Sequence, residues 1–270
     1  MKNKLTNPIV ITIIFLLGLF GFNYFKPELI DYLKDQGFEF AKRKHLVTII
    51  FNTFYTLISF YFIKKYKLID LAGLGKRFKL KNWLLLIFPL YIALINYTSL
   101  EDIPYNTISG LDYILFFLWA LSVGFSEEFM LRGFIQSLFL KHYGFSKKGI
   151  YYSVIGAALI FGLLHLLKFD KGLYGEITQV LFATFIGTMF GAILLRTNKL
   201  WPLILIHAII DIFGNLDIFK TANEVSEELT IEAELTNSIV ITLVVLPCFI
   251  YGLILLRKVK VEQVVSKISE

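Results

Sequence analysis

The chain is a succession of long apolar runs separated by short polar segments. About 20 apolar residues in an α-helix cross the hydrocarbon core of a bilayer, and such a helix satisfies its backbone hydrogen bonds internally. Eight runs have this length, near residues 9–25, 46–63, 83–100, 113–140, 150–167, 177–195, 200–218 and 238–256. The pattern predicts an all-α fold, a polytopic membrane helical bundle of about eight transmembrane helices.

Composition supports a membrane protein. Hydrophobic residues make up 56% of the 270 residues and charged residues only 18%, whereas a soluble domain has about 25% charged residues. The single cysteine, Cys248, excludes an internal disulfide and any metal site built from several cysteines. The net charge of +6 lies between the apolar runs, so we interpret it as a topology signal and expect the lipid bilayer, not nucleic acid, as partner.

The distribution of Lys and Arg predicts the orientation. With both termini in the cytoplasm, 18 of the 27 basic residues face the cytoplasm and 8 lie in the outer segments, as the positive-inside rule requires. The basic segment 26–45 opposes this assignment. The Ile-, Lys-, Asn- and Phe-rich composition is typical of an AT-rich bacterial genome, so we expect a multi-pass protein of a bacterial plasma membrane.

Ionisable residues inside the apolar runs are few. Placing a charge at the bilayer centre costs roughly 2.5–3.5 kcal/mol on insertion scales, so such residues usually face the protein interior and serve a function. The candidates, in three of the eight runs, are Glu127, Glu128, Arg132, His165, His207 and Asp211.

The spacing of these residues suggests how they pair. Glu128 and Arg132 are four residues apart and share a helix face. Glu127 is rotated from Glu128 by about 100°, so one carboxylate can bind the arginine while the other projects into a cavity.

Two other runs each place a histidine on a helix face with a second notable side chain. Phe161 and His165 are four residues apart, and so are His207 and Asp211. Three helices therefore offer one free carboxylate and two imidazoles, a set that suits activation of water and stabilisation of an oxyanion.

These residues resemble the motifs of a known family. Residues 127–132 match the E-E-x-x-x-R motif of the CAAX protease and bacteriocin-processing (CPBP, or Abi) intramembrane proteases. Residues 161–165 match its F-x-x-x-H motif, and residues 207–211 match its H-x-x-x-N/D motif. The resemblance covers about residues 113–215, with the motifs in the family's order and on separate predicted helices.

The resemblance implies an intramembrane endopeptidase that acts on a membrane-associated peptide or protein. Glu127 is then the general base on the attacking water, and His165 holds and polarises that water. Glu128 pairs with Arg132 and fixes the helix, and Phe161 supports the site as the first residue of the second motif.

The third motif, by the same resemblance, stabilises the oxyanion through His207 and the residue at 211. Many family members have Asn there, whose amide donates a hydrogen bond, whereas an ionised Asp211 only accepts one. Two hypotheses follow: Asp211 is protonated and donates, or it accepts the ring proton of His207 and orients that ring.

A metal is an alternative on chemistry alone. Glu127, His165 and His207 resemble the His₂Glu ligands of some zinc proteases. The H-E-x-x-H spacing is absent, and the family is described as using a glutamate-activated water without a ligated metal. We therefore expect no cofactor, with zinc on these three residues as the alternative.

We predict one integral-membrane domain over residues 1–270, with a catalytic core at 113–215. Residues 1–100 and 237–270 then supply additional spans and a cytoplasmic tail. Two other functions fit the same residues: a non-catalytic membrane scaffold or bacteriocin-immunity protein, and a proton-coupled transporter, because intramembrane Glu, Arg and His also mark ion pathways. Cleavage of membrane peptides that depends on Glu127 would separate the protease from both.

Overall fold

All regular elements of the described residues are helical. The computed structural model describes residues 7–38, 40–98, 103, 105–167, 172–219 and 230–268. The α-helices are α1 (Pro8–Gly21), α2 (Lys26–Asp35), α3 (Phe40–Lys65), α4 (Leu90–Thr98), α5 (Gly110–Glu128), α6 (Ser137–Tyr143), α7 (Lys147–Leu164), α8 (Gly172–Thr197), α9 (Trp201–Gly214), α10 (Ile231–Arg257) and α11 (Val261–Ile268). The predicted all-α fold is confirmed.

Six helical stretches of the described chain are long and apolar enough to cross a membrane. They are Pro8–Asp35, Lys42–Lys65, Gly110–Tyr143, Lys147–Leu167, Gly172–Thr197 and Ile231–Arg257. The third and seventh predicted runs form the shorter apolar helices Trp83–Thr98 and Trp201–Gly214. A multi-pass membrane protein is therefore confirmed, whereas the count of eight spans and the cytoplasmic position of both termini stay predictions.

The helix ends differ from the prediction at two places that matter for the site. The segment 26–45, predicted as a connection, contains the helix α2. The sixth span begins at Gly172, before the predicted residue 177, and so includes Glu176. The parts of the predicted topology at residues 1–6, 99–102, 168–171 and 220–229 lie outside the described residues.

The helix α8 is the most buried of the six candidate spans, and it packs against both α7 and α10. On the other side of the site, α5 packs against α3 and α9. These neighbours carry the three motifs, because the first lies where α5 ends, the second at the end of α7 and the third within α9.

A π-helical turn over Phe129–Gln136 joins α5 and α6 into one continuous helix. Such turns are rare in proteins, and those that occur are often found at functional sites. The hydroxyl of Ser137 donates a hydrogen bond to the carbonyl of Arg132 at 2.9 Å, in a buried position. The wider turn therefore begins within the first motif and extends beyond it to Gln136, where the sequence predicts an ordinary α-helix.

The helices α5 and α9 approach closely at Gly124. A Cβ atom added to this glycine would lie 2.7 Å from the backbone oxygen of Ile204, which is closer than such atoms can approach. Only a residue without a side chain fits there. This contact places the end of α5 next to His207.

Candidate active site

Glu128 connects the first motif to the third. Its side chain is fully buried, and its Oε1 atom accepts a hydrogen bond from Nη1 of Arg132 at 2.8 Å. The same oxygen lies 2.8 Å from Nδ1 of His207. The predicted pairing of Glu128 with Arg132 is therefore present, and the contact with His207 adds a link between α5 and α9 that the sequence does not predict.

Arg132 lies between two aromatic rings. Its guanidinium carbon is 5.3 Å from the ring centroid of Phe161 and 5.4 Å from that of Phe190. Both distances are in the range of a cation–π interaction. Phe161 also packs edge-to-face on the ring of His165, at 4.9 Å between centroids. The aromatic residue of the second motif thus touches the cation of the first.

The ring of His165 is oriented by its own helix. Its Nδ1 atom lies 3.0 Å from the carbonyl oxygen of Phe161. A carbonyl oxygen only accepts hydrogen bonds, so Nδ1 carries the proton in this contact. In the neutral imidazole, Nε2 is then the acceptor nitrogen.

Glu127 and His165 line the same cavity, which has a volume of about 420 Å³. We call it the Glu127 cavity. Its polar lining is completed by Asn23, Lys26, Asn52, Tyr55, Ser126, Glu176 and Gln179. The carboxylate that does not contact Arg132 therefore faces a polar cavity, as the helix geometry predicts.

The second nitrogen of His207 lies between two carboxyl groups. Its Nε2 atom is 3.5 Å from Oε2 of Glu127 and 3.7 Å from Oδ2 of Asp211. Both distances fit an ion pair with a protonated ring but exceed an ordinary hydrogen bond. Glu127 at Nε2 and Glu128 at Nδ1 therefore favour a cationic His207.

Asp211 also lines a second cavity, of about 590 Å³, between α4, α8, α9 and α10. Gln179 lines both cavities and so lies at their boundary. The structure thus brings Glu127, Glu128, His207 and Asp211 into one connected group.

Glu176 is a candidate that the sequence analysis missed. Its residue is only 2% exposed, and it lines the Glu127 cavity from α8. The predicted run began at residue 177, so Glu176 counted as part of the preceding connection. The sequence does place Glu176 three residues before Gln179, a spacing that puts both side chains on one face of a helix. Gln179 lines the same cavity.

The described side chains can be compared with the ligand sets that hold metal ions in proteins. Within the described ranges, no group of three or more His, Cys, Asp or Glu side chains is arranged to hold a metal ion. Glu127, His165 and His207 are described residues, and the absence of a cofactor, with zinc on these three residues as the alternative, stays a prediction. We derive no chemical step through a metal.

Comparison with known proteins identifies a family for the central part of the chain. Residues 109–213 match the family model described as Type II CAAX prenyl endopeptidase Rce1-like. The matched range contains every residue of the three motifs. No curated protein and no solved structure matches the chain.

Proposed function

We propose that the chain is a membrane protease of the CAAX protease family, whose Rce1-like model matches residues 109–213, and that it is an intramembrane endopeptidase with Glu127 as its general base. One observation carries the proposal. Of the two adjacent glutamates, Glu128 is fully buried against Arg132 and His207, whereas Glu127, 3.5 Å from Nε2 of His207, lines a cavity together with His165. A carboxylate in a cavity can take a proton from water.

The reaction proceeds through attack of that water on the scissile carbonyl. The oxygen of the water bonds to the carbonyl carbon while Glu127 accepts a proton from the water. Nε2 of His165 accepts a second hydrogen bond from the same water. When the carbon–nitrogen bond breaks, Glu127 returns the proton to the leaving amine. General acid–base catalysis of this kind typically contributes about 10²–10⁴-fold to a rate.

The third motif stabilises the charge on the carbonyl oxygen. Nδ1 of His207 donates its hydrogen bond to Glu128. In a cationic ring Nε2 also carries a proton, and this second proton can be donated to the oxyanion. Asp211, if protonated, supplies a second donor. Donors held in place before the reaction stabilise an oxyanion in a site of low dielectric.

The substrate we propose is a membrane-associated peptide or protein, cleaved in a bacterial plasma membrane without a resident metal. The test uses the purified full chain in detergent with a panel of membrane peptides, and mass spectrometry identifies the products. Glu127→Gln and His165→Ala are expected to lose about 10²–10⁴-fold in rate while they stay folded. Glu262→Gln, an exposed change on α11, is the matched control. Wild-type cleavage by Glu127→Gln would overturn the proposal.

A further inference from the structure

The two ends of the helical bundle differ in their residues. At one end α1, α7 and α9 terminate and α8 and α10 begin. We call this the catalytic end, because the residues that line both cavities lie there or in the middle of the helices. At the opposite end α3 and α8 terminate and α7 begins. We call it the basic end.

The Glu127 cavity reaches from the catalytic end toward the middle of the bundle. Asn23 and Lys26 line it where α1 gives way to α2, and Glu127 lines it near the middle of the continuous helix Gly110–Tyr143. The second cavity is lined in the same way by the last turn of α9 and the first turns of α8 and α10. None of the described residues of the basic end lines either cavity.

The basic end carries most of the positive charge of the chain. Its segments 64–82, 141–149, 196–199 and 257–270 hold 16 Lys and Arg residues. The described segments of the catalytic end, 26–38, 40–45, 105–112, 172–176 and 230–237, hold five Lys and Arg residues, all of them between residues 26 and 45. Lys and Arg next to membrane spans favour the cytoplasmic side.

These observations indicate the face of the membrane at which the substrate is cleaved. The inference rests on the proposed function. We infer that the Glu127 cavity opens toward the extracytoplasmic face, so that the substrates are exported or outward-facing membrane peptides. A cytoplasmic peptide, such as a lipid-modified carboxyl terminus on the inner leaflet, would meet the basic end, where neither cavity opens. We also infer that the substrate is amphiphilic. Its polar part would meet the polar residues that line the cavity, and its apolar part would meet the apolar helices around them.

The first experiment determines the side of each end. In a Cys248→Ala background, a single cysteine is introduced by Asp217→Cys at the catalytic end or by Lys260→Cys at the basic end. Both positions are exposed and lie outside the cavity linings. A membrane-impermeant maleimide is added to spheroplasts that express the full chain. We expect labelling of Asp217→Cys in intact spheroplasts and of Lys260→Cys only after permeabilisation. Any other pattern overturns the inference.

The second experiment separates this inference from the proposed function. A peptide that the purified protein cleaves in detergent is displayed in cells on either the outer or the inner face of the membrane. We expect Glu127-dependent cleavage of the outer display only. Cleavage of the inner display alone would overturn the assigned side and leave the protease activity intact. If no peptide is cleaved in detergent, the proposed function fails, and the labelling pattern still decides the orientation.

Discussion

The Nδ1 atom of His207 lies 2.8 Å from Oε1 of Glu128, the same oxygen that binds Arg132. One buried carboxylate oxygen therefore holds both an arginine of its own helix and a histidine of the neighbouring helix. The role that the family resemblance implies for Glu128, fixing its helix through Arg132, is thus only part of its bonding. Through this oxygen, the position of Arg132 affects the ring whose second nitrogen faces Glu127 and Asp211.

Arg132→Ala is expected to lower both stability and activity. Arg132 is only 2% exposed, and its loss leaves the negative charge of Glu128 buried with less compensation. Removing one partner of a buried ion pair costs about 3–5 kcal/mol. Thermal unfolding in detergent and the amount of folded protein measure the effect.

A double change tests the cause of that loss. Glu128→Gln combined with Arg132→Met leaves no orphan charge, so it should destabilise the protein less than Arg132→Ala alone. Arg257→Ala, which removes an exposed cation at the end of α10, is the control. If Arg132→Ala unfolds at the wild-type temperature, the pair does not stabilise the bundle as described.

Gly124→Ala is expected to impair catalysis without unfolding the protein. Its new methyl group would meet the backbone oxygen of Ile204 at 2.7 Å, so α5 and α9 must move apart. That movement lengthens the contact between Glu128 and His207, and a displacement of about 1 Å in a catalytic site can cost about 100-fold in rate. The turnover number and the unfolding temperature measure the two effects.

The matched control is Gly156→Ala on α7, where the nearest atom to an added Cβ lies at 3.7 Å, an ordinary contact. This variant should keep both activity and stability. An active Gly124→Ala enzyme would mean that the spacing of α5 and α9 does not limit the reaction.

The contacts within a helix could be predicted from the sequence, and those between helices largely could not. Spacing by four residues predicts that Glu128 meets Arg132, because helix periodicity fixes the relation. The bond from Glu128 to His207 depends on how closely α5 and α9 pack, which Gly124 permits. A single glycine in an apolar run does not indicate which neighbour it will meet.

The π-helical turn and Glu176 illustrate two further limits. The turn over Phe129–Gln136 inserts extra backbone within an otherwise regular apolar run, and hydrophobic periodicity does not register it. Glu176 lies in the first turns of α8, and because it is charged, the predicted run began only after it, at residue 177. Only the packing of α8 against α7 shows that this charge is buried.

Glu176→Gln is expected to lower the turnover number while the fold stays intact. Glutamine has nearly the same volume as glutamate, so the buried position is still filled, but the negative charge in the cavity of Glu127 is lost. The loss should be smaller than the 10²–10⁴-fold effect of Glu127→Gln. Kinetics on one cleaved peptide and the unfolding temperature measure the result. A change in stability alone would restrict Glu176 to a structural role.

Removal of metal ions is expected to leave the activity unchanged. Among the described residues, no group of three or more ligand side chains is arranged to hold a metal ion, and the proposed water is activated by Glu127. The purified protein is treated with a strong zinc chelator, passed into metal-free buffer and assayed on a cleaved peptide. Activity that falls with the chelator and returns with added zinc would require a different mechanism.

Asp211→Asn distinguishes the two roles proposed for Asp211. The Oδ2 atom of Asp211 lies 3.7 Å from Nε2 of His207, which is longer than a hydrogen bond. The ring is instead held at Nδ1 by Glu128. Asp211 therefore does not orient the ring through a direct hydrogen bond, and we expect it to be protonated and to donate to the oxyanion.

In the donor role, the amide of Asp211→Asn supplies a donor at the same position, so substantial activity should remain, also at pH values at which an ionised Asp211 would be inactive. Asp211→Ala should lose about 10²–10³-fold, the usual cost of one oxyanion donor. If the charge of Asp211 supports a cationic His207 instead, Asp211→Asn should lose several orders of magnitude, as happens when the orienting carboxylate of a serine-protease triad is replaced. The measurement is the turnover number of both variants as a function of pH on one peptide. A folded but inactive Asp211→Asn protein would reject the donor role.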